Sequence, residues 1–227
     1  MYHISTNIFR KTQSKSPWDT QGFFMKEGLI AKIMYTLPKF YDWTTQFASL
    51  WNWEKWQSRV FEDITGTKVL EIGVGPGRLY LNLLKKGFDV EATEIRKGLA
   101  DVARERARKA GFTPRIHLSS VYRLPFPENT FDDVVMTFVL GEIKELDRAI
   151  AEIKRVLKFG GKAVAVSICY PQDNNIIAKF ILDIINKSED FNLDRQFHTY
   201  FEKQGFSVKR EDFGPFNILN KIVAVKK

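Results

Sequence analysis

From about residue 67 onwards, apolar residues in this chain follow two alternating patterns. Apolar runs over Lys68 to Ile72, Phe88 to Ala92 and Lys162 to Cys169 predict buried strands. Spacings of three and four predict two helices with one buried face each, marked by Leu99, Val102, Ala103, Ala107 and Ala110, and by Ile143, Leu146, Ile150, Ile153 and Leu157. Gly111 and the Gly160-Gly161 pair end these helices. The alternation predicts an α/β fold, with a parallel sheet between helices on both faces.

The end of the chain predicts a different kind of strand pairing. Phe206 to Arg210 and Lys221 to Val225 are two predicted strands, and Gly214-Pro215 marks a turn between them. A connection this short suits antiparallel neighbours, because parallel strands need a long crossover. We therefore expect a hairpin at one edge of the sheet.

The first predicted strand runs into a turn that contains Gly73, Gly75 and Gly77. Glycine permits turn conformations closed to other residues and lets a ligand lie against the main chain. The following helix offers unpaired N–H groups to a carboxylate or phosphate, and Glu71 suits an ammonium group. A dinucleotide-binding fingerprint would need glycine at position 78, where this chain has Arg78. The simpler interpretation is that these glycines only pack a helix tightly onto the sheet.

A second acid, Glu94, closes the next apolar run and follows Glu71 by 23 residues. This interval is close to the roughly 20 residues at which an acid meets ribose hydroxyls in nucleotide-binding βαβ units. The alternative is a solvated carboxylate in a charged loop.

These acids and glycines, followed by Leu124-Pro125-Phe126 and Phe131-Asp132, resemble the ordered motifs of class I S-adenosylmethionine-dependent methyltransferases. The similarity is to the small-molecule type, and more distantly to quinone and phospholipid methyltransferases. It implies a Rossmann-like three-layer sandwich with a seven-stranded, mostly parallel sheet whose last strand is antiparallel. The ligand would lie at the carboxyl ends of the strands, at the switch between the first and fourth.

The resemblance also implies S-adenosyl-L-methionine as the cofactor and no metal. The implied cofactor-binding residues are Glu71, Gly73, Val74, Gly75, Gly77, Arg78, Glu94, Ile95, Ser120, Val121, Thr137 and Phe138. Ser120 and Val121 depart from the family, which has an acid and an alanine there. We therefore expect a hydroxyl rather than a carboxylate beside the adenine amino group.

Two residues are candidates for catalysis. Glu142, just beyond the fourth strand, is the best-placed candidate base; a helix N-terminal charge or simple solvation is the alternative. Tyr41-Asp42 resembles a Tyr-Asp pair of quinone and phospholipid methyltransferases, in which the tyrosine helps to close the cofactor pocket.

Residues 1–65 are expected to form a helical extension or lid, and residues 66–227 the cofactor-binding methyltransferase domain. All five tryptophans, Trp18, Trp43, Trp51, Trp53 and Trp56, lie in the first part. They could belong to the core, cover an apolar substrate, or form an interfacial surface. A second apolar stripe, in a predicted helix near residue 180, allows core packing or a substrate wall and comprises Ile176, Ile177, Phe180, Ile181, Ile184 and Ile185.

Composition and charge indicate which partners and which cellular location this chain suits. A net charge of +8 suits an anionic membrane surface or nucleic acid, and the absence of an RNA-binding signature disfavours nucleic acid. The single cysteine, Cys169, ends an apolar run and is expected to be a buried structural thiol. With no long apolar run and no signal-like leader, we expect a cytoplasmic protein, with peripheral contact at the inner membrane face as a further expectation. The oligomeric state stays open.

The predicted function is methyl transfer to a small apolar or amphiphilic acceptor, such as a phospholipid amine or a quinone. A soluble small amine or phenol is an alternative acceptor. A non-catalytic S-adenosylmethionine-binding protein and a nicotinamide-dependent oxidoreductase are alternative classes, the latter disfavoured by the residue at position 78.

Overall fold

The computed structural model describes residues 52–173, 175–188, 193 and 196–227. The strands are β1 Lys68–Ile72, β2 Asp89–Glu94, β3 Ile116–Leu118, β4 Phe131–Thr137, β5 Leu157–Ile168, β6 Phe206–Phe213 and β7 Leu219–Lys226. The α-helices are α1 Trp53–Ser58, α2 Arg78–Lys85, α3 Lys97–Lys109, α4 Leu146–Val156, α5 Ile176–Ser188 and α6 Phe197–Lys203. Short 3₁₀ turns occupy Arg59–Glu62, Leu140–Glu142 and Pro215–Asn217.

All seven strands form one sheet in the order β3-β2-β1-β4-β5-β7-β6. The pairs among β1 to β5 are parallel, and β7 runs antiparallel to both β5 and β6. The predicted mostly parallel sheet with a reversed last strand is therefore confirmed, as is the hairpin at its edge. Strands β2 and β3 are added in turn on one side of β1, whereas β4 and the later strands lie on its other side. This switch of sides leaves a crevice at the carboxyl ends of β1 and β4.

Helices cover both faces of the sheet, which confirms the three-layer architecture. Alternate residues of each strand point to opposite faces, so Val69 joins α2 and α3 in one core while Leu70 joins α4 and α6 in the other. Both residues are completely buried. Burial on both faces explains why the central strands read as continuous apolar runs rather than alternating ones.

Strand β5 begins earlier than the sequence predicts. The predicted strand starts after Gly161, whereas the observed one starts at Leu157, directly after α4, and runs through both glycines. Pairing with β4 carries it: Phe131 pairs with Leu157, and the register shifts before Asp133 pairs with Lys162. Glycine pairs usually mark turns, but here they accommodate this irregularity inside a strand.

Core packing is the wrong interpretation for part of the stripe on α5. Ile176, Ile177 and Phe180 are 83%, 55% and 66% exposed, whereas Ala178 and Leu182 are the buried residues among the α5 side chains that the structure describes. The side chains of Ile181, Ile184 and Ile185 lie outside the described ones. Cys169, by contrast, is buried as predicted. Burial raises the pKa of its thiol to about 11, which fits a structural role rather than that of a nucleophile.

The predicted N-terminal lid and the predicted lack of a membrane-spanning helix concern parts of the chain that the structure describes only partly. Tyr41, Trp18, Trp43 and Trp51 lie outside them, so the predicted lid is represented by α1 and the turn that follows it. Among the helices that the structure describes, none is long and apolar enough to cross a membrane.

Candidate cofactor and acceptor site

The glycine turn between β1 and α2 needs its glycines for different reasons. Gly73, Gly75 and Gly77 have φ values of 73°, 53° and 83°, in the left-handed region that favours glycine. A Cβ on Gly73 would lie 2.4 Å from Val139, and one on Gly77 would lie 2.7 Å from Ala103. At Gly75 no described atom lies within 4 Å of that position. The space over Gly75 is therefore open to a ligand.

Glu94 lies at the end of β2, beside this turn. Its Oε2 accepts the N–H of Gly75 at 2.9 Å, and its Oε1 accepts the N–H groups of Ile95 and Arg96, both at 3.0 Å. The residue is only 4% exposed, and burial raises its pKa although these hydrogen bonds oppose the rise. A carboxylate offers about four acceptor positions, so one on Oε2 is left for a hydroxyl.

Glu71, on β1, is buried near enough to Glu94 to interact with its charge. It is 2% exposed, and its Oε2 has no hydrogen-bond partner among the described residues. Burial first, and then the charge of Glu94, raise the pKa of Glu71 well above its ordinary value. An unpartnered buried acid costs stability unless a positive group comes to it, so this position fits a cationic ligand.

The crevice brings together nine of the residues predicted to form the site. They are Gly73, Gly75, Glu94, Ile95, Ser120, Val121, Thr137, Phe138 and Glu142. Four others, Glu71, Val74, Gly77 and Arg78, do not line it. Val74 is part of the buried core, and Arg78 begins α2, where it pairs with Glu54. These four residues belong to the strand, the turn and the start of the helix that surround the crevice, without lining it themselves.

The loop from Ser119 to Tyr122 forms one side of the crevice. Ser120 Oγ accepts the N–H of Tyr122 at 3.3 Å, and the Tyr122 hydroxyl accepts the N–H groups of Lys144 and Glu145. Tyr122 thus ties this loop to the segment just after Glu142. Ile95, 47% exposed, offers an apolar side chain to a ligand within the same crevice.

Arg96 was not predicted as a site residue, yet it lines the crevice and its side chain reaches across to Glu142. Its Nη1 donates to Glu142 Oε2 at 3.0 Å, so the end of β2 is linked to the segment after β4. Sequence reasoning missed Arg96 because basic residues are frequent at the start of helices such as α3 and usually solvated. The carboxylate of Glu142, the candidate base, is consequently held by a guanidinium.

Helix α1 contacts the opposite side of the crevice. The ring of Trp53 stacks on Phe138 with centroids 4.0 Å apart, and Gln57 Nε2 donates to Thr137 Oγ1 at 2.9 Å. Phe138 itself has a φ of 60°, an uncommon conformation for a bulky residue, and its N–H bonds to the Val166 carbonyl at 2.7 Å. Strain of this kind concentrates at functional sites. Sequence separations of 80 residues or more hide these contacts from pattern analysis.

Comparison with known proteins agrees with this geometry. Residues 70–165 match the family described as Methyltransferase domain. The chain is 31% identical over 155 residues to demethylmenaquinone methyltransferase of Symbiobacterium thermophilum, covering 64% of this chain and 61% of that one. It is 30% identical over 147 residues to a ubiquinone/menaquinone biosynthesis C-methyltransferase of Cupriavidus metallidurans, covering 62% and 60%. The chain thus spans about three fifths of the length of these relatives.

Solved structures show the same fold. A Thermotoga maritima protein, described as a SAM-dependent methyltransferase and possible histamine N-methyltransferase, has a TM-score of 0.68 at 17% identity and covers 86% of this chain and 99% of its own. Geranyl diphosphate C-methyltransferase of Streptomyces coelicolor has a TM-score of 0.63 at 15% identity and covers 78% and 80%. In its motifs, its matched domain and its fold, the chain is similar to the class I S-adenosylmethionine-dependent methyltransferases, and the relatives named above include quinone methyltransferases.

Proposed function

We propose that this protein transfers a methyl group from S-adenosyl-L-methionine to a small, apolar or amphiphilic acceptor of the quinone type. The observation that carries the proposal is the junction of Gly75 with Glu94 in the crevice between β1 and β4. The acceptor class is suggested by the relatives, two of which are named for demethylmenaquinone and for ubiquinone and menaquinone synthesis.

The residues of the crevice fit the proposed cofactor. Glu94 Oε2 keeps an acceptor position suited to a ribose hydroxyl, and Ile95 offers an apolar surface to a planar base. Ser120 would supply a hydroxyl to the base. Buried Glu71, whose raised pKa favours the protonated form in the ligand-free protein, would ionise when an ammonium group comes to it. When bound, this cofactor supplies a methyl group on a positively charged sulfur, which is an activated leaving group.

The remaining work of the protein is to position the acceptor and exclude water. Thr137 and Phe138 end β4 at the crevice, where they would bound the place of transfer. Glu142 is the proposed proton acceptor for a hydroxyl or an acidic carbon, and Arg96 holds its carboxylate in place at 3.0 Å. Residues 1–65 are the proposed lid, to which Tyr41 would contribute.

Three sets of acceptors test this function. Purified protein is incubated with S-adenosylmethionine carrying a labelled methyl group and with a naphthoquinol, a phospholipid amine, or a soluble amine or phenol. Label in the naphthoquinol supports the proposal. Label only in the soluble acceptors would replace the acceptor class, and tight cofactor binding without transfer to any fraction of a cell extract would favour a non-catalytic binding protein.

The proposed setting is the cytoplasm, with peripheral contact at the inner membrane face. The net charge of +8 supports it, since each well-placed cation near an anionic surface contributes about 1 kcal/mol. Flotation with anionic vesicles at low salt tests the contact. Absence of the protein from the vesicle fraction, together with full activity on a soluble acceptor, would overturn it.

A further inference from the structure

Helix α1 places two side chains on the end of β4. Trp53 reaches Phe138 and Gln57 reaches Thr137, two adjacent residues that line the crevice. Trp53 and Gln57 are one helical turn apart, so they share one face of α1. We infer that this face is the acceptor-selecting wall of the site: Trp53 with Phe138 receives a planar apolar ring, and Gln57 with Thr137 orients its oxygen. This inference rests on the proposed function.

The aromatic half of the wall is a stacked pair. The two rings are inclined by 24° with centroids 4.0 Å apart, so they pack face to face and leave only the outer sides and edges of the pair as an apolar surface. Phe138 holds its place in a left-handed conformation, at φ 60°, which directs the backbone away from the course of β4. A planar ring stacks well on such a surface, whereas a flexible amine headgroup gains little from it.

The polar half consists of a hydroxyl and an amide. Thr137 is only 7% exposed, and its Oγ accepts the Gln57 amide N–H at 2.9 Å. This bond leaves the Thr137 hydroxyl hydrogen available as a donor to the oxygen of a ring acceptor. Gln57 is thus a positioning residue, because it acts by fixing the direction of that hydroxyl.

Ion pairs hold α1 against the site. Glu54 pairs with Arg78, the first residue of α2, at 2.5 Å. In the turn after α1, Arg59 pairs with Glu211 of β6 at 2.7 Å, and Glu62 pairs with Lys221 of β7 at 2.6 Å. The first ion pair joins α1 to α2, and the other two join the turn after α1 to β6 and β7. These contacts give the wall a defined geometry.

Trp53→Leu tests the aromatic half, with Trp56→Leu as the matched control. Trp56 is on the same helix and has no stacked ring partner among the described residues. Calorimetry measures the affinity of a short-chain naphthoquinone, the oxidised analogue of the naphthoquinol acceptor, for the protein saturated with S-adenosylhomocysteine. The affinity for S-adenosylmethionine is measured separately. We expect Trp53→Leu to weaken naphthoquinone binding on the order of tenfold and to leave cofactor affinity within about twofold, with Trp56→Leu changing neither. Phe138→Leu removes the other ring of the pair and should weaken naphthoquinone binding similarly. The aromatic half can therefore still be tested if Trp53→Leu fails to fold.

Gln57→Leu tests the polar half through steady-state kinetics. Misdirection of the Thr137 hydroxyl should lower kcat on the order of tenfold with KM nearly unchanged, because ring binding is retained while orientation is lost. A rise in KM at constant kcat would overturn the role of Gln57.

The outcomes separate the inference from the function on which it rests. If wild-type protein binds S-adenosylmethionine and neither naphthoquinone nor naphthoquinol, both the quinone-type acceptor and the proposed role of the wall are wrong. If wild-type protein binds naphthoquinone and Trp53→Leu binds it equally well, the function stands and the wall alone is wrong. An equal loss of cofactor and naphthoquinone affinity in Trp53→Leu would also overturn it, because α1 would then belong to the cofactor site.

Discussion

The N–H of Gly75 donates to Oε2 of Glu94 at 2.9 Å, and this hydrogen bond joins the glycine turn after β1 to the end of β2. The Oε1 atom of the same carboxylate holds the next two backbone N–H groups of the loop that follows β2. Glu94 therefore shapes the crevice as well as lining it. Two neighbouring strands depend on a single side chain for the arrangement of their carboxyl ends.

Replacing Glu94 should weaken the binding of S-adenosylmethionine. Glu94→Ala removes a hydrogen-bonding carboxylate, so we expect a loss of about 1–3 kcal/mol in calorimetric titrations. Glu91→Ala is the matched control, because Glu91 is on the same strand and pairs with His117 and Arg115 instead of lining the crevice. Unchanged affinity in a folded Glu94→Ala protein would remove this residue from the site.

Glu71 should make the stability of the ligand-free protein depend on pH. Burial raises its pKa above the ordinary value of 4.5, so above that pH the native state keeps a proton that the unfolded chain has released. The contribution of this group to stability is therefore complete below pH 4.5 and is lost as the pH rises towards the native pKa.

Glu71→Gln removes the loss of stability that the ionisable Glu71 side chain causes as the pH rises. The ligand-free variant should be more stable than the wild type near neutral pH, with the gain shrinking as the pH falls towards the unfolded pKa. Cofactor affinity should fall at the same time, because the negative charge is lost. Denaturant unfolding over a pH series measures the first effect. A variant less stable than the wild type at neutral pH would contradict this account of Glu71.

Glu142→Gln tests the proposed proton acceptor. For an acceptor that must lose a proton, we expect kcat to fall about 100-fold, within the usual range for a general base, with little change in cofactor affinity. Glu145→Gln is the control, since Glu145 lies three residues further on and pairs with exposed Arg148. A weakened cofactor affinity with unchanged kcat would instead assign Glu142 to holding Arg96 across the crevice.

Much of the framework could be predicted because local signals agree there. Strand β1 and the glycine turn are specified within about ten consecutive residues, and position 94 follows at a spacing set by one βαβ unit. The mostly apolar run from Phe131 to Leu140 likewise marks β4, although the strand itself ends at Thr137. In these places the residues that make the structure are neighbours in sequence.

Other features depend on partners that are distant in sequence. The stacking of Trp53 on Phe138 and the ion pair of Arg96 with Glu142 join segments that only the sheet order brings together. The early start of β5 depends on its pairing with β4, which overrides the usual meaning of two glycines. The helical spacing on α5 was read correctly as a helix, but spacing alone does not say that Ile176 and Phe180 are exposed.

The central claim is that S-adenosylmethionine lies over Gly75, and Gly75→Ala tests it with Gly87→Ala as the control. Both glycines have positive φ, and at both the added Cβ meets no described atom within 4 Å. Each substitution should therefore cost a similar ~1–2 kcal/mol of backbone strain. Only Gly75 lines the crevice, whereas Gly87 precedes β2 at its other end.

Calorimetric titration of the wild type and both variants with S-adenosylmethionine, and with NADH, is the decisive measurement. The wild type should bind S-adenosylmethionine and not NADH. Gly75→Ala should weaken that binding on the order of tenfold or more, because its methyl group occupies the space of the ligand, and Gly87→Ala should bind like the wild type. Binding of NADH in place of S-adenosylmethionine, or equal affinity in Gly75→Ala and the wild type, would contradict the account.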